Sequence, residues 1–333
     1  MLGDRGVDMT SAERVLVTGG GGYLGSQVVG ALAERGAESV VCLDVRELPA
    51  ERRRPGVVYA AADIRARAPL EALLREHRID TVVHLAAIVT PGKKPDREFE
   101  YQVDVVGTKN VLDACVAAGV GHVVISSSGA AYGYHADNPA WLTEDDAIRG
   151  NEEFAYSWHK RLVEEMLADY RRNAPQLQQT IFRIGTILGE TVANQITALF
   201  DKPRPLAIAG SDSPFVFIWD QDVVGAILHA LSGGPPGIYN VAGDGALTIH
   251  EIAARMGKRC RVLPPALLQT ALWIGKRLGL TQYGPEQLRF LRYRPVLANT
   301  RLKTVFGYVP RKTSAEVFDF WWAARRARGP ARP

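Results

Sequence analysis

The chain has 333 residues, of which 47% are apolar and 23% charged, enough for one large globular unit or two smaller ones. Its 40 basic against 36 acidic residues leave a net charge of only +4, and no basic stretch is interleaved with aromatics, so nucleic acid is excluded as an expected partner. Cys42, Cys115 and Cys260 are odd in number and far apart, which excludes a disulfide framework and a metal-ligand spacing and makes a reducing cytoplasm the expected setting.

The opening residues, "MLGDRGVDMTSAER", lack the apolar stretch of a signal peptide and read as a loose leader over 1–11. "RVLVTGGGGYLGSQVVGALAERG" (14–36) predicts a strand, a glycine turn and a helix with Val28, Val29, Leu32 and Ala33 at helical spacing. "SVVCLDV" (39–45) and "GVVYAAAD" (56–63) predict two more strands, and Arg52 to Arg54 between them read as a solvated loop. A helix over 69–77, a strand over 80–87, a long helix over 97–118 and a strand over 121–128 follow. A helix over 153–172 and a strand and turn over 179–189 complete the run.

Apolar strands alternating with helices predict an α/β fold: a doubly wound parallel (Rossmann) sheet covered on both faces, with ligands at the carboxyl ends of its strands. Beyond 189 prolines punctuate shorter elements, while "GIYNVAG" (237–243) reads as a strand returning to the sheet. The expected division is a dinucleotide-binding domain over 12–189 with a returning segment near 215–245, and a smaller substrate domain over 190–214 and 246–327. "LPPALLQTALWIGKRLGL" (263–280) is too short to span a bilayer and is expected inside a domain or lining an apolar pocket. Residues 328–333, with arginines before them at 325 and 326, read as a frayed tail.

Gly19, Gly22, Tyr23, Leu24 and Gly25 form a G-x-x-G-x-x-G turn between strand and helix, the context of a dinucleotide site. Glycines let the backbone approach a pyrophosphate, and the helix N-terminus offers N–H groups and a positive dipole end. Asp44 ends the second strand, where a carboxylate accepts from the adenosine ribose hydroxyls and repels a 2′-phosphate. That favours NAD, with NADP as the alternative because Arg46 offsets part of the charge. Asp63, with Ile64 beside it, ends the third strand and reads either as a contact to the adenine amino group or as a helix N-cap.

"SSSGAAYG" (126–133) stands at the end of the fifth strand, and "AYSWHK" (155–160) opens the next helix. Tyr156 and Lys160 lie one helical turn apart. A nearby cation stabilises a phenolate, so Tyr156 suits proton transfer to and from a hydroxyl that Ser128 also hydrogen-bonds.

In this order, "TGGGGYLGS", "HLAA" (84–87), "SSSGAAYG", "YSWHK", "FRIGTILG" and "GIYNVAG" resemble the extended short-chain dehydrogenases/reductases, in particular the NAD-dependent epimerase/dehydratase family. The resemblance implies a Ser128, Tyr156, Lys160 triad, Lys160 also on the nicotinamide ribose, and Ala86 and Ala87 bordering the cofactor. It implies a homodimer through the helices near 97–118 and 153–172, whose apolar residues include Val103, Val106, Val111, Leu112, Leu162, Val163, Met166 and Leu167. Two departures stand out. Asp104 replaces the asparagine of the family's "N-V-x-G-T", and Phe215 stands where sugar-nucleotide enzymes carry an arginine for the diphosphate.

These residues predict an NAD-dependent enzyme that transfers a hydride at a secondary alcohol or ketone. Phe215 and the 263–280 segment favour a substrate less charged than a sugar nucleotide. Arg292 and Arg294 in "RYRP" keep a nucleotide-sugar epimerase or dehydratase open. A non-catalytic NAD-binding scaffold is the reading from another class, and such a protein tends to lose the Tyr or Lys that this chain keeps.

Overall fold

The structure is a computed structural model and describes residues 13–89, 95–281 and 283–328. The leader over 1–11 and the tail from 329 onward fall outside the described residues.

The first half runs β1 (Arg14–Thr18), α1 (Tyr23–Arg35), β2 (Ser39–Asp44), β3 (Val57–Ala61), α2 (Arg67–Glu76), β4 (Thr81–His84), α3 (Arg97–Tyr101), α4 (Gly107–Ala118), β5 (His122–Ser128), α5 (Ala155–Asn173) and β6 (Gln178–Ile184). The second half runs β7 (Thr186–Leu188), α6 (Gln195–Asp201), β8 (Leu206–Ile208), β9 (Phe217–Trp219), α7 (Asp220–Leu231), β10 (Gly237–Val241), α8 (Ile249–Arg255), β11 (Arg261–Leu263), α9 (Pro265–Arg277), α10 (Gln287–Arg292), α11 (Thr300–Thr304) and α12 (Ser314–Arg328).

Among the described residues seven strands form one parallel sheet in the order β3-β2-β1-β4-β5-β6-β10. Strand polarity and pleat explain the sequence pattern. Val15, Val17, Val40 and Cys42 point to a core built with Val28, Leu32, Val223 and Ile227 of α1 and α7. Leu16, Val41 and Leu43 alternate to the other face and meet Leu70, Leu112 and Leu167 of α2, α4 and α5. The winding reverses between β1 and β4, so a crevice opens at the carboxyl ends of those strands.

Three features differ from expectation. The helix over 97–118 is broken by a wide π-turn at Gln102–Val106, which carries Asp104 inward. Arg328 ends α12 and donates to the Glu190 carbonyl, while Arg325 pairs with Asp201 at 2.6 Å, so these arginines anchor the helix. The 263–280 segment is not buried inside a domain: α9 has no buried residue.

A separate aromatic core joins Phe200, Phe215, Phe217, Phe318 and Trp321. Of the 215–245 segment, only β10 enters the large sheet. β9 pairs with β7, and β8 with β11.

Candidate active site

The glycine turn lies at the switch point. Gly19 adopts φ +67°, and a Cβ there would stand 2.9 Å from the Ala86 nitrogen, so only glycine lets the turn rest on the end of β4. Gly25 faces the Gly19 carbonyl so closely that any side chain would collide with it. Gly22 is the N-cap of α1 and supplies no side-chain cap, and no acidic residue occupies the first turn, where Leu24 packs inward. The end of α1 is thus left open to an anion from outside. Tyr23 points away from it and donates to Asp220 at 2.5 Å; burial and that carboxylate push its hydroxyl up to about 12.

Asp44 accepts the Gly21 N–H at 3.0 Å and forms, with Cys42, Arg46, Tyr59 and Ala61, the wall of a pocket beside the turn. The arginines of the 52–54 run are exposed, as a solvated loop requires, yet each has a partner here. Arg52 donates to the Gly21 carbonyl, Arg53 pairs with Glu47, and Arg54 with Glu34. Asp63 is gripped by the Arg65 guanidinium at 2.6 and 2.9 Å, which holds its carboxyl below the usual range. It does not cap α2, whose N-cap is Ala66. Ile64 is buried against Gly107.

A hydrogen-bond chain runs beneath the turn. His84 Nδ1 lies 2.7 Å from the Thr18 hydroxyl and Nε2 3.0 Å from the Thr108 hydroxyl. Thr108 donates its proton to the Asp104 carbonyl at 2.6 Å, so Nε2–H must donate and Nδ1 must accept. Thr18 Oγ also receives the Ala86 N–H, which fixes the backbone of Ala86 and Ala87 at the crevice. Burial, with the Lys160 charge adding to it, depresses the His84 pKa to about 3, so the ring is neutral.

The departure at Asp104 is compensated within the chain. Asp104 Oδ1 accepts the Ile88 N–H at 2.8 Å, and Oδ2 meets His159 Nδ1 at 3.1 Å. The segment after β4 is therefore held from below by a carboxylate whose second oxygen has its own partner.

Ser128 ends β5 and Tyr156 and Lys160 occupy the first turns of α5. Lys160 Nζ donates to the Ser126 carbonyl at 2.7 Å and stands 5.6 Å from the centre of the Tyr156 ring. Ser128 Oγ receives the Ala130 N–H at 3.1 Å, which leaves its proton to donate elsewhere. Further along the same face Glu164 is clasped by Arg183, at 2.9 and 2.7 Å, and Arg183 reaches the Tyr132 hydroxyl at 2.8 Å. Tyr132 in turn lies 2.8 Å from Asn240 Oδ1 on β10. This buried network locks α5 to β6 and β10. Sequence reading missed it, although Lys160 and Glu164 are spaced one turn apart.

Phe215 is 2% exposed and enclosed by Phe217, Phe200 and a guanidinium: Arg294 Cζ stands 3.9 Å from its ring centre. The ring offered above as a substrate contact is thus covered, and a cation from a distant segment stands over it. Arg294 donates to Ser213 Oγ at 2.6 Å and its Nε has no partner. Burial lowers its pKa without removing its charge. Arg292 Nε is likewise buried without a partner.

A doubly wound sheet, a glycine turn at its switch point and a Tyr/Lys pair beside the fifth strand define the short-chain dehydrogenase/reductase class. More narrowly, the chain belongs to the NAD dependent epimerase/dehydratase family, whose model matches residues 15–242. The UDP-glucose 4-epimerase of Rhizobium leguminosarum bv. trifolii is 35% identical over 339 residues, covering 94% of this chain and 97% of that protein. An uncharacterised protein of Mycobacterium tuberculosis is 28% identical over 317 residues, 93% of this chain and 84% of that one. The Thermus thermophilus UDP-glucose 4-epimerase, solved in complex with NAD, superposes with a TM-score of 0.70 at 26% identity, over 96% of this chain and all of that one. The Thermotoga maritima UDP-glucose 4-epimerase shares the fold, with a TM-score of 0.74 at 20% identity over 95% of this chain and 99% of that one.

Proposed function

We propose that this chain is an NAD-dependent epimerase-type enzyme that oxidises and re-reduces a secondary carbinol of a nucleotide sugar. The observation that carries this reading is the placement of Lys160, anchored to the Ser126 carbonyl beside the Tyr156 ring at the carboxyl edge of the sheet. The cofactor fits on structural grounds: the glycine cradle admits no side chain, the end of α1 lacks an acidic cap, and Asp44 lines the adjoining pocket. Asp44 would hold the ribose and the N-terminus of α1 the pyrophosphate, with Ala86, Ala87 and Lys160 toward the nicotinamide. Bound NAD supplies the hydride acceptor and donor at its nicotinamide C4.

Tyr156 takes the proton of the substrate hydroxyl and gives it back. Ser128 donates to the same oxygen and fixes its place, and Lys160 supplies a positive charge 5.6 Å from the centre of the Tyr156 ring. Arg294, with Arg292 near it, supplies the cation for the diphosphate that Phe215 does not. Residues 190–214 and 246–327 form the substrate side. The expected assembly is a cytoplasmic homodimer through α4 and α5. Val103 and Val106 on the π-turn before α4, with Leu162 and Met166 on α5, are half-buried and available to a partner, whereas Val111, Leu112, Val163 and Leu167 are already buried within the protomer.

The test combines calorimetry with uridine diphosphate and turnover of UDP-glucose in the presence of NAD. Expected are epimer exchange without NADH accumulation, and diphosphate binding weakened about tenfold or more in Arg294→Ala. Net NADH formation from an uncharged carbinol, with no affinity for the diphosphate, would replace this reading with a simple dehydrogenase.

A further inference from the structure

Helix α9 is the part of the chain that neither the fold nor the site accounts for. Its half-buried residues, Pro265, Leu268, Leu272 and Gly275, share one side. Leu267, Ala271, Ile274 and Leu278, spaced by four, three and four, make an adjoining stripe that is exposed, with Leu267 at 57%, Ile274 at 44% and Leu278 at 65%. Trp273 and Leu280 are exposed as well. A continuous apolar stripe of this kind is a contact surface rather than scattered exposure.

The sequence that flanks it is one-sided in charge. Between Glu251 and Glu286 the sequence contains no acidic residue, while Arg255, Lys258, Arg259, Arg261, Lys276 and Arg277 are all cationic. Arg255 pairs with Asp319 and Lys276 with Glu286; Arg259, Arg261 and Arg277 make no ion pair among the described residues. Arg261 and the exposed Val262 lie on β11, which leads into α9 through Pro264. A second copy of this chain packing on the same stripe across a twofold axis would bring two such acid-free, cationic segments together.

We infer that α9 is an interfacial helix that seats the enzyme on an anionic bilayer surface. The helix has 13 residues and is too short to span. Its leucine and isoleucine stripe enters the boundary between headgroups and chains, Trp273 sits at headgroup level, and Arg259, Arg261 and Arg277 face the lipid phosphates. Lys276 ties α9 to α10 through Glu286, and Phe290 on α10 packs at 5.2 Å on Tyr134, next to the segment that carries Tyr156. Lys276 lies on the side of α9 opposite the exposed stripe, so the contact with α10 leaves that stripe free.

The experiment sediments the full-length protein with vesicles of phosphatidylcholine, alone or mixed with phosphatidylglycerol. It compares the parent with the double variant Ile274→Glu, Leu278→Glu. Neither residue is buried, so the variant keeps the fold, and unchanged NAD binding verifies this. Expected is co-sedimentation with the anionic vesicles only, weakened about tenfold or more in the variant and lost in about 1 M salt, where the Debye length is ~3 Å. Failure of the parent to sediment with anionic vesicles overturns the inference, as does equal sedimentation of parent and variant. Loss of a dimer mass in the variant, without any vesicle binding by the parent, would assign the face to a second copy instead. None of these readouts involves turnover, so they stand apart from the proposed reaction.

Discussion

Asp104 and His159 meet at 3.1 Å in the interior, each side chain only 3% exposed, and the family's asparagine is thereby replaced by a pair. Asn in place of Asp keeps an acceptor for the Ile88 N–H but turns a donor toward His159 Nδ1. Asp104→Asn should therefore leave stability within about 1 kcal/mol and move the His159 proton from Nδ1 to Nε2. Nitrogen-15 shifts of the ring report that exchange. Asp104→Leu leaves both buried partners unpaired and should cost about 2–4 kcal/mol in urea unfolding. An unchanged tautomer in Asp104→Asn would show that the pair is not held as described.

Tyr156→Phe keeps the ring and removes the hydroxyl. Turnover should fall by about 10²–10⁴, with NAD affinity nearly unchanged by calorimetry. A variant as fast as the parent would assign the proton transfer to another group.

Asp44→Ala removes the carboxylate beside the glycine turn, so discrimination against NADP should relax. The measurement is the ratio of NAD to NADP affinity in parent and variant. Equal affinities in the parent would mean that Arg46 already cancels the charge of Asp44.

His84 couples stability to acid. Its folded pKa of about 3 lies below the ordinary 6.5, so its stabilising contribution is complete above pH 6.5 and is lost as the pH falls from there toward 3. Between about pH 7.5 and pH 5 the loss should be on the order of 2 kcal/mol. Urea unfolding of parent and His84→Gln at both pH values checks this, and a variant with the parent's full pH slope would count against it.

A homodimer through α4 and α5 predicts twice the chain mass by light scattering at micromolar concentration. Met166→Glu should lower that mass toward the monomer, because it places a charge in an apolar contact. A monomeric parent would remove α4 and α5 as an interface.

Local pattern made the scaffold and the core of the site legible. Strand, glycine turn, helix and Asp44 follow one another within about thirty residues, and Tyr156 and Lys160 share one helix turn, so periodicity and spacing reach them. The missed features are contacts across the chain. Arg294 covers Phe215 from 79 residues away, His159 answers Asp104 from 55 residues away, and Arg183 joins Glu164 to β10 through Tyr132. A composition rich in leucine marks α9 as a helix with an apolar side, but it does not say whether protein covers that side. The π-turn at Gln102–Val106 was hidden for a related reason: apolar residues on both sides of it, such as Val103 and Val111, continue the run without marking where the turn widens.

Arg294 stands against Phe215 and Phe290 with no carboxylate paired to it among the described residues. A cation kept short of counter-charge makes the ligand-free chain a less stable object than it needs to be, and an anion bound beside it would make good the deficit. Heat resistance then becomes a gauge of occupancy. A diphosphate at about a hundred times its dissociation constant adds about 2.7 kcal/mol to the unfolding free energy by mass action alone. The melting temperature of the purified chain, followed across a panel of anions, would thus rank candidate substrates before any of them is turned over.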